Sequence, residues 1–152
     1  MQTFTTVEEL GTVVGQHLGY SRWHTITQQH IDGFADATDD HQWIHVDPRR
    51  AAGGPFGTPI AHGFLTLSLL SALLWQIYSV EEAELTVNYG LDRVRFPAPV
   101  PVRSEVRAGA RLLSLERHET HAQARFAVTV EIRGHDKPAC VAEWITRLNR
   151  RT

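Results

Sequence analysis

The chain is short of the residues that usually give a protein's class away. It has one cysteine, one lysine and one methionine in 152 residues. A single thiol, Cys140, excludes an internal disulfide framework and any multi-cysteine metal site. It sits in the apolar run Ala139–Ala142, so a buried, inert thiol and a reduced, cytoplasmic setting are expected. There is no excess charge of either sign. Fifteen basic residues against 17 acidic ones leave a net charge of −2. That argues against nucleic acid or an anionic membrane as the main partner. No apolar run is long enough to suggest a membrane span. The longest, Gly63 to Tyr78, is interrupted by Thr66, Ser68, Ser71 and Gln76, and a buried core helix explains it better. The N-terminal MQTFTTVEELG lacks the basic start and long apolar core of a signal peptide. Internal repeats and low-complexity tracts are absent too.

What is present reads as one globular domain over residues 1–152, with 42% hydrophobic and 21% charged residues. The basic residues are nearly all Arg, which suits forked contacts to phosphate or carboxylate. The chain changes character near residue 80. Before it, Thr6 and Glu9 read as a capping box opening a helix to about Val14. Tyr20 to Ile26 reads as a strand, and Thr27 caps a second helix that fails near Thr38. Asp39 to Pro59 is a long loop with a turn of helix after Pro48, and loops of that length are usually functional. Ala61 to about Ser79 is apolar nearly all round and predicts one buried helix. Alternation then predicts strands at 85–89, 94–96, 102–111, 124–133 and 137–148. The expected fold class is α+β, an antiparallel sheet wrapped around a long central apolar helix.

Chemistry concentrates in Thr38–Pro48, where Asp39, Asp40, His41, His45 and Asp47 supply acid–base groups or metal ligands. A solvated loop is the plain alternative. The HExxH zinc signature is absent, and His41 and His45 would need helical spacing in a segment that reads as loop. No metal is therefore expected. Further on, Pro59-Ile60-Ala61-His62-Gly63-Phe64 places a glycine at the mouth of the apolar helix. Free N–H groups there stabilise developing negative charge, and Gly lets a ligand approach the backbone. A thioester carbonyl becoming an enolate would fit such a site; close packing would equally account for the glycine.

These elements together resemble the MaoC-like hydratase/dehydratase family, the (R)-specific enoyl-CoA hydratases. Asp40 is followed five residues later by His45, then by His45-Val46-Asp47, and Ala61-His62-Gly63 stands at the helix start. Asn88-Tyr89-Gly90, Val94-Arg95-Phe96-Pro97 and Pro99-Val100 resemble a strand pair of the family's small members. The likeness spans about residues 27 to 103. Gln42-Trp43 replaces the Asn-Pro of many members, which would put a bulky indole over the site. Ser71 falls where some relatives carry a helix serine.

The resemblance implies a hot-dog fold and reversible hydration of trans-2-enoyl-CoA to (R)-3-hydroxyacyl-CoA. Asp40 and His45 would share one water, and the Gly63 N–H would hold the enolate oxygen. Trp43, His62, Ser71, Asn88, Tyr89 and Arg95 are the expected substrate-binding residues. Leu67 and Leu70, with Trp43 or Tyr89, are candidates for an acyl tunnel. No cofactor is implied beyond the coenzyme A thioester itself, with acyl carrier protein as an alternative carrier, and a homodimer with a continuous sheet is expected. Two other readings share the fold: an acyl-CoA thioesterase and a non-catalytic acyl-CoA-binding protein.

Overall fold

The computed structural model describes residues 1–150; Arg151 and Thr152, at the end of the expected domain, lie outside them. The principal sheet has six strands. Four form its body: β5 (Ala83–Arg95), β6 (Glu105–Arg117), β7 (His121–Ile132) and β8 (Cys140–Arg150). The order runs β6-β7-β8-β5, all antiparallel. Two short strands, β2 (His17–Tyr20) and β3 (His24–Thr25), pair in succession with the free side of β6. The single strand expected at 20–26 is broken at Ser21, whose hydroxyl accepts the Ala108 N–H at 2.9 Å and donates to the Arg22 carbonyl at 2.9 Å. A two-stranded parallel ribbon, β1 (Gln2–Phe4) with β4 (Tyr78–Val80), stands apart.

Alternation fixes which face of the sheet is inside. On β7 every second residue from Ala122 to Ile132 is buried and its neighbours are half-exposed. The small residues Ala108, Ala110, Ala122 and Ala124 let the helical layer lie close to the sheet. That layer is the segment expected as one helix over 61–79. It forms two shorter helices, α5 (Gly63–Ser68) and α6 (Leu70–Leu74). They join through Leu69, which keeps right-handed helical dihedrals (φ −65°, ψ −19°). The N–H of Leu69 bonds Leu65 O at 3.1 Å, and the N–H of Leu73 bonds Leu69 O at 3.0 Å, so the helical path continues across the joint. It stops near Trp75 because Tyr78 is drawn into β4, where Gln2 donates to Ile77 O at 2.8 Å. Local periodicity carries no sign of that pairing. Leu70, Leu73, Leu74 and Ile77 are 0–2% exposed, each contributing roughly 1.5–3 kcal/mol of burial.

Four more helices organise the first half. In α1 (Val7–Gly11) the Thr6 hydroxyl accepts from Glu9 N. The Glu9 carboxylate reaches Thr5 N at 2.7 Å, one residue before the expected reciprocal partner. Thr27 caps α2 (Gln28–Thr38), with His30 completing the box. Asp39 ends α2 in the left-handed region, φ 59°. The long loop then contains two short helices, α3 (Trp43–Val46) and α4 (Pro48–Ala52). Finally, 85–89 and 94–96 belong to one strand, β5, with register shifts at Asn88/Gly90 and Asp92/Arg95. β5 has one partner in the sheet and leaves Leu85, Val87, Tyr89 and Leu91 exposed.

Candidate active site

The site is built where α3 is bound to the strand-like segment leading into α5. Ile60 N–H donates to Ile44 O at 3.1 Å, and Ala61 N–H donates to Val100 O at 2.8 Å. In return His45 Nδ1–H donates to Ile60 O at 2.7 Å. Gln28, at the start of α2, donates from Nε2 to His45 O at 2.8 Å. A carbonyl oxygen only accepts, so the Ile60 bond fixes the His45 tautomer and leaves Nε2 as a lone pair in the neutral ring. His62 stacks on His45 with ring centroids 3.8 Å apart and 24° between planes. Its Nε2–H donates to Asp40 O at 2.9 Å, and Phe34 packs against the ring at 5.0 Å. Both imidazoles are buried, whereas Asp40 is exposed. One ligand-capable atom from each of Asp40, His45 and His62 lies within 4.8 Å of the other two.

Burial holds the His45 pKa below its ordinary value of 6.5 and the neighbouring His62 adds to this; the Ile60 carbonyl and Asp40 oppose it. His45 is therefore neutral near pH 7, the form that accepts a proton.

A cavity of about 320 Å³ opens beside His45. Ile60, Gly63 and Thr66 line it together with Phe56 and Phe96. Gly63 is required sterically: a Cβ there would come within 2.9 Å of the Phe96 ring. The other members of the polar stretch have local duties. Asp47 caps α4, accepting from Arg50 N at 3.0 Å. His41 pairs with Asp36 at 2.9 Å, and α3 begins only at Trp43, so His41 and His45 share no helix face.

The expected substrate-binding residues divide. Only His62 adjoins Asp40 and His45. Trp43 does not line the cavity and no indole covers it. Its ring lies under the Arg50 guanidinium at 4.4 Å and fills the space a Cβ on Gly54 would need. Arg95 is exposed and donates to its neighbour's carbonyl, Val94 O, at 2.7 Å. Ser71, Asn88 and Tyr89 meet in a separate groove of about 340 Å³, shared with Leu67 and Leu70. There Asn88 Nδ2 donates to Ser71 Oγ at 2.9 Å, and Tyr89 lies under Arg147 at 3.5 Å. Phe56 and Phe96 are cavity residues the sequence reading passed over; a phenylalanine amid Gly53, Gly54, Pro55 and Gly57 was the available signal.

The model of the MaoC like domain matches residues 9–132. The chain is 56% identical over 148 residues to 3-hydroxyacyl-thioester dehydratase Z of Mycobacterium tuberculosis, covering 97% of this chain and 98% of the relative. It is 51% identical over 136 residues to nodulation protein N of Rhizobium leguminosarum bv. viciae, covering 88% and 84% of the two chains. Among solved structures, the (R)-hydratase of A. caviae involved in PHA biosynthesis superposes with a TM-score of 0.73 at 27% identity, covering 89% and 96%. The sheet folded about α5–α6 and these relatives lead to one conclusion: the chain is a hot-dog domain of the MaoC-like dehydratase family.

Proposed function

We propose that the protein interconverts trans-2-enoyl-CoA and (R)-3-hydroxyacyl-CoA, with Asp40 and His45 as the acid–base pair. One observation carries this reading. His45 commits its only N–H to Ile60 O and lines the cavity, with an Asp40 carboxylate oxygen within 4.8 Å of one of its ring nitrogens. In hydration, the pair removes a proton from water as the water oxygen bonds C3, and returns a proton to C2. The balance is one water added across the double bond, with no redox change. The Gly63 N–H, first in the helical path, holds the thioester oxygen as negative charge develops. The apolar walls from Phe56 and Phe96 receive the acyl chain. Coenzyme A is the expected carrier, with acyl carrier protein as the alternative. The exposed apolar side of β5 supports a homodimer in which a second copy pairs with that edge. The free, buried Cys140 is consistent with a reduced, cytoplasmic setting.

The experiment is to follow enoyl absorbance on adding the protein to crotonyl-CoA, with a thiol reagent present. Loss of absorbance without thiol release, giving product oxidised only by an (R)-specific dehydrogenase, is expected. Asp40→Asn and His45→Gln, shown to be folded by circular dichroism, should each lower kcat about 10²–10⁴-fold. Thiol release would instead indicate a thioesterase. Full activity in both variants would remove the pair from the mechanism.

A further inference from the structure

In α2 and α5 the hydroxyls of Thr38 and Ser68 donate back to the carbonyl four residues earlier, Phe34 O and Phe64 O, each at 2.7 Å. That local bond is the common resting place of a helical hydroxyl. Thr66, in α5, departs from it. The matching carbonyl, His62 O, accepts the Thr66 N–H at 3.2 Å, and the Thr66 hydroxyl makes no hydrogen bond among the described residues. The residue is 2% exposed and lines the cavity with His45 and Gly63. Three enclosed side-chain atoms among the described residues lack a partner: His62 Nδ1, His121 Nε2 and Thr146 Oγ1. The Thr66 oxygen is not one of them, so it keeps an opening, and the open space that Thr66 borders is the cavity.

His45 and Thr66 have the only polar side chains in that lining; the other residues are glycine, alanine, proline, isoleucine, valine and phenylalanine. His45 gives its N–H to Ile60 O, so the remaining nitrogen of the neutral ring accepts. Thr66 is thus the one side-chain donor lining the cavity. A thioester oxygen only accepts, and it needs donors as it gains charge. Gly63 and Thr66 stand three residues apart in α5 and share a helix face, and the lean of helical side chains towards the N-terminus carries the hydroxyl towards Gly63. We infer that Thr66 is a catalytic hydroxyl, whose O–H donates to the thioester oxygen of the substrate alongside the Gly63 N–H. The inference rests on the hydration proposed above. As the water oxygen bonds C3, the C2=C3 pair moves to C1–C2 and the carbonyl pair moves to oxygen, where the two donors meet it. Protonation of C2 reverses the shift and restores the carbonyl. Thr66 keeps its proton throughout, and nothing is oxidised.

The test uses the full-length protein and two readouts. The first is steady-state hydration of crotonyl-CoA. Thr66→Val keeps the shape of the side chain and removes the donor, and it should lower kcat about 10²–10³-fold, the loss typical of one oxyanion donor. KM should change little, because the bond strengthens as charge develops. Thr66→Ser restores the hydroxyl and should recover most of the rate. Ser68→Ala, which removes the back-bonded hydroxyl of the same helix, should leave the rate unchanged. The second readout is the infrared carbonyl stretch of bound butyryl-CoA, isotope-labelled at the thioester carbon. This saturated thioester has no double bond to hydrate. Its stretch should fall on binding to wild type and to Thr66→Ser, and fall less in Thr66→Val; a role in packing alone would leave that difference at zero. If Thr66→Val does not fold, Thr66→Ala takes its place. A loss of kcat under about tenfold, or the same carbonyl stretch with and without the hydroxyl, overturns the inference.

The two readouts separate this inference from the reaction on which it rests. Hydratase activity that survives in Thr66→Val keeps the reaction and removes the hydroxyl from it. A carbonyl shift that depends on Thr66, in a protein that does not hydrate enoyl thioesters, keeps the donor and removes the proposed reaction.

Discussion

In the proposed reaction, with His45 as the base of the pair, the residue carries two opposed demands, and its surroundings meet both. A base must be unprotonated near neutrality, and a buried imidazole must not lose its hydrogen bond. Burial lowers its pKa from 6.5, and the Ile60 carbonyl occupies its N–H. The sign of the pH dependence follows. The folded state gives up this proton more readily than the unfolded chain, so stability falls as pH drops below 6.5 and is retained above it. The acid limb of kcat/KM should accordingly lie below pH 6.5, and thermal unfolding of His45→Gln should lose less than wild type between about pH 7.5 and 5. A limb above 6.5 would assign the base elsewhere. Gly63 makes a second prediction at this scale. Gly63→Ala would press a methyl against the Phe96 ring, 2.9 Å away. It should cut activity at least about tenfold while leaving the fold intact, and Gly63→Ala/Phe96→Ala should recover part of the loss. These residues were partly legible beforehand. Asp40, His45 and Gly63 lay in recognisable spacings, but Phe56 and Phe96 entered the cavity through tertiary packing.

Among the elements, α2 governs the site from a distance. Its N-cap, Thr27, accepts from His30 N, and the next residue, Gln28, holds the His45 carbonyl. Thr27→Ala should cost about 1 kcal/mol, read as a lower denaturant midpoint at constant m-value. A change in KM would also follow if the fraying reaches Gln28. The caps were visible in the sequence because capping is local chemistry. Where expectation and structure differ, a non-local partner decides the outcome. The central helix ends early because β1 claims Tyr78. The strand expected at 20–26 breaks where the Ser21 hydroxyl accepts the Ala108 N–H, 87 residues away. The helix α3 forms because Ile60 returns a hydrogen bond to Ile44.

For the whole molecule, the sheet ends at β5 in an exposed apolar border. Leu85, Val87, Tyr89 and Leu91 on β5 are 40–53% exposed, and such an edge associates unless it is covered. Sedimentation should find a dimer, and Val87→Asp with Leu91→Asp should shift it to monomer. Wild type sedimenting as a monomer at micromolar concentration would remove β5 as the contact. The groove holding Ser71, Asn88 and Tyr89 opens on the same strand. Ser71, Asn88 and Tyr89, expected from the resemblance to bind substrate, thus lie in a groove apart from the His45 cavity.

The acceptor that orients His45 is the main-chain oxygen of residue 60, not a side chain. Every amino acid has that oxygen, so no single substitution at position 60 can delete it. The tautomer is inherited through backbone geometry and is insulated from point mutation at its anchor. Its weak point is length: adding or removing one residue between Asp47 and Pro59 would carry a different carbonyl to the ring. Lineages that keep this chemistry should therefore tolerate drift in side chains at position 60 far better than insertions in the segment preceding it.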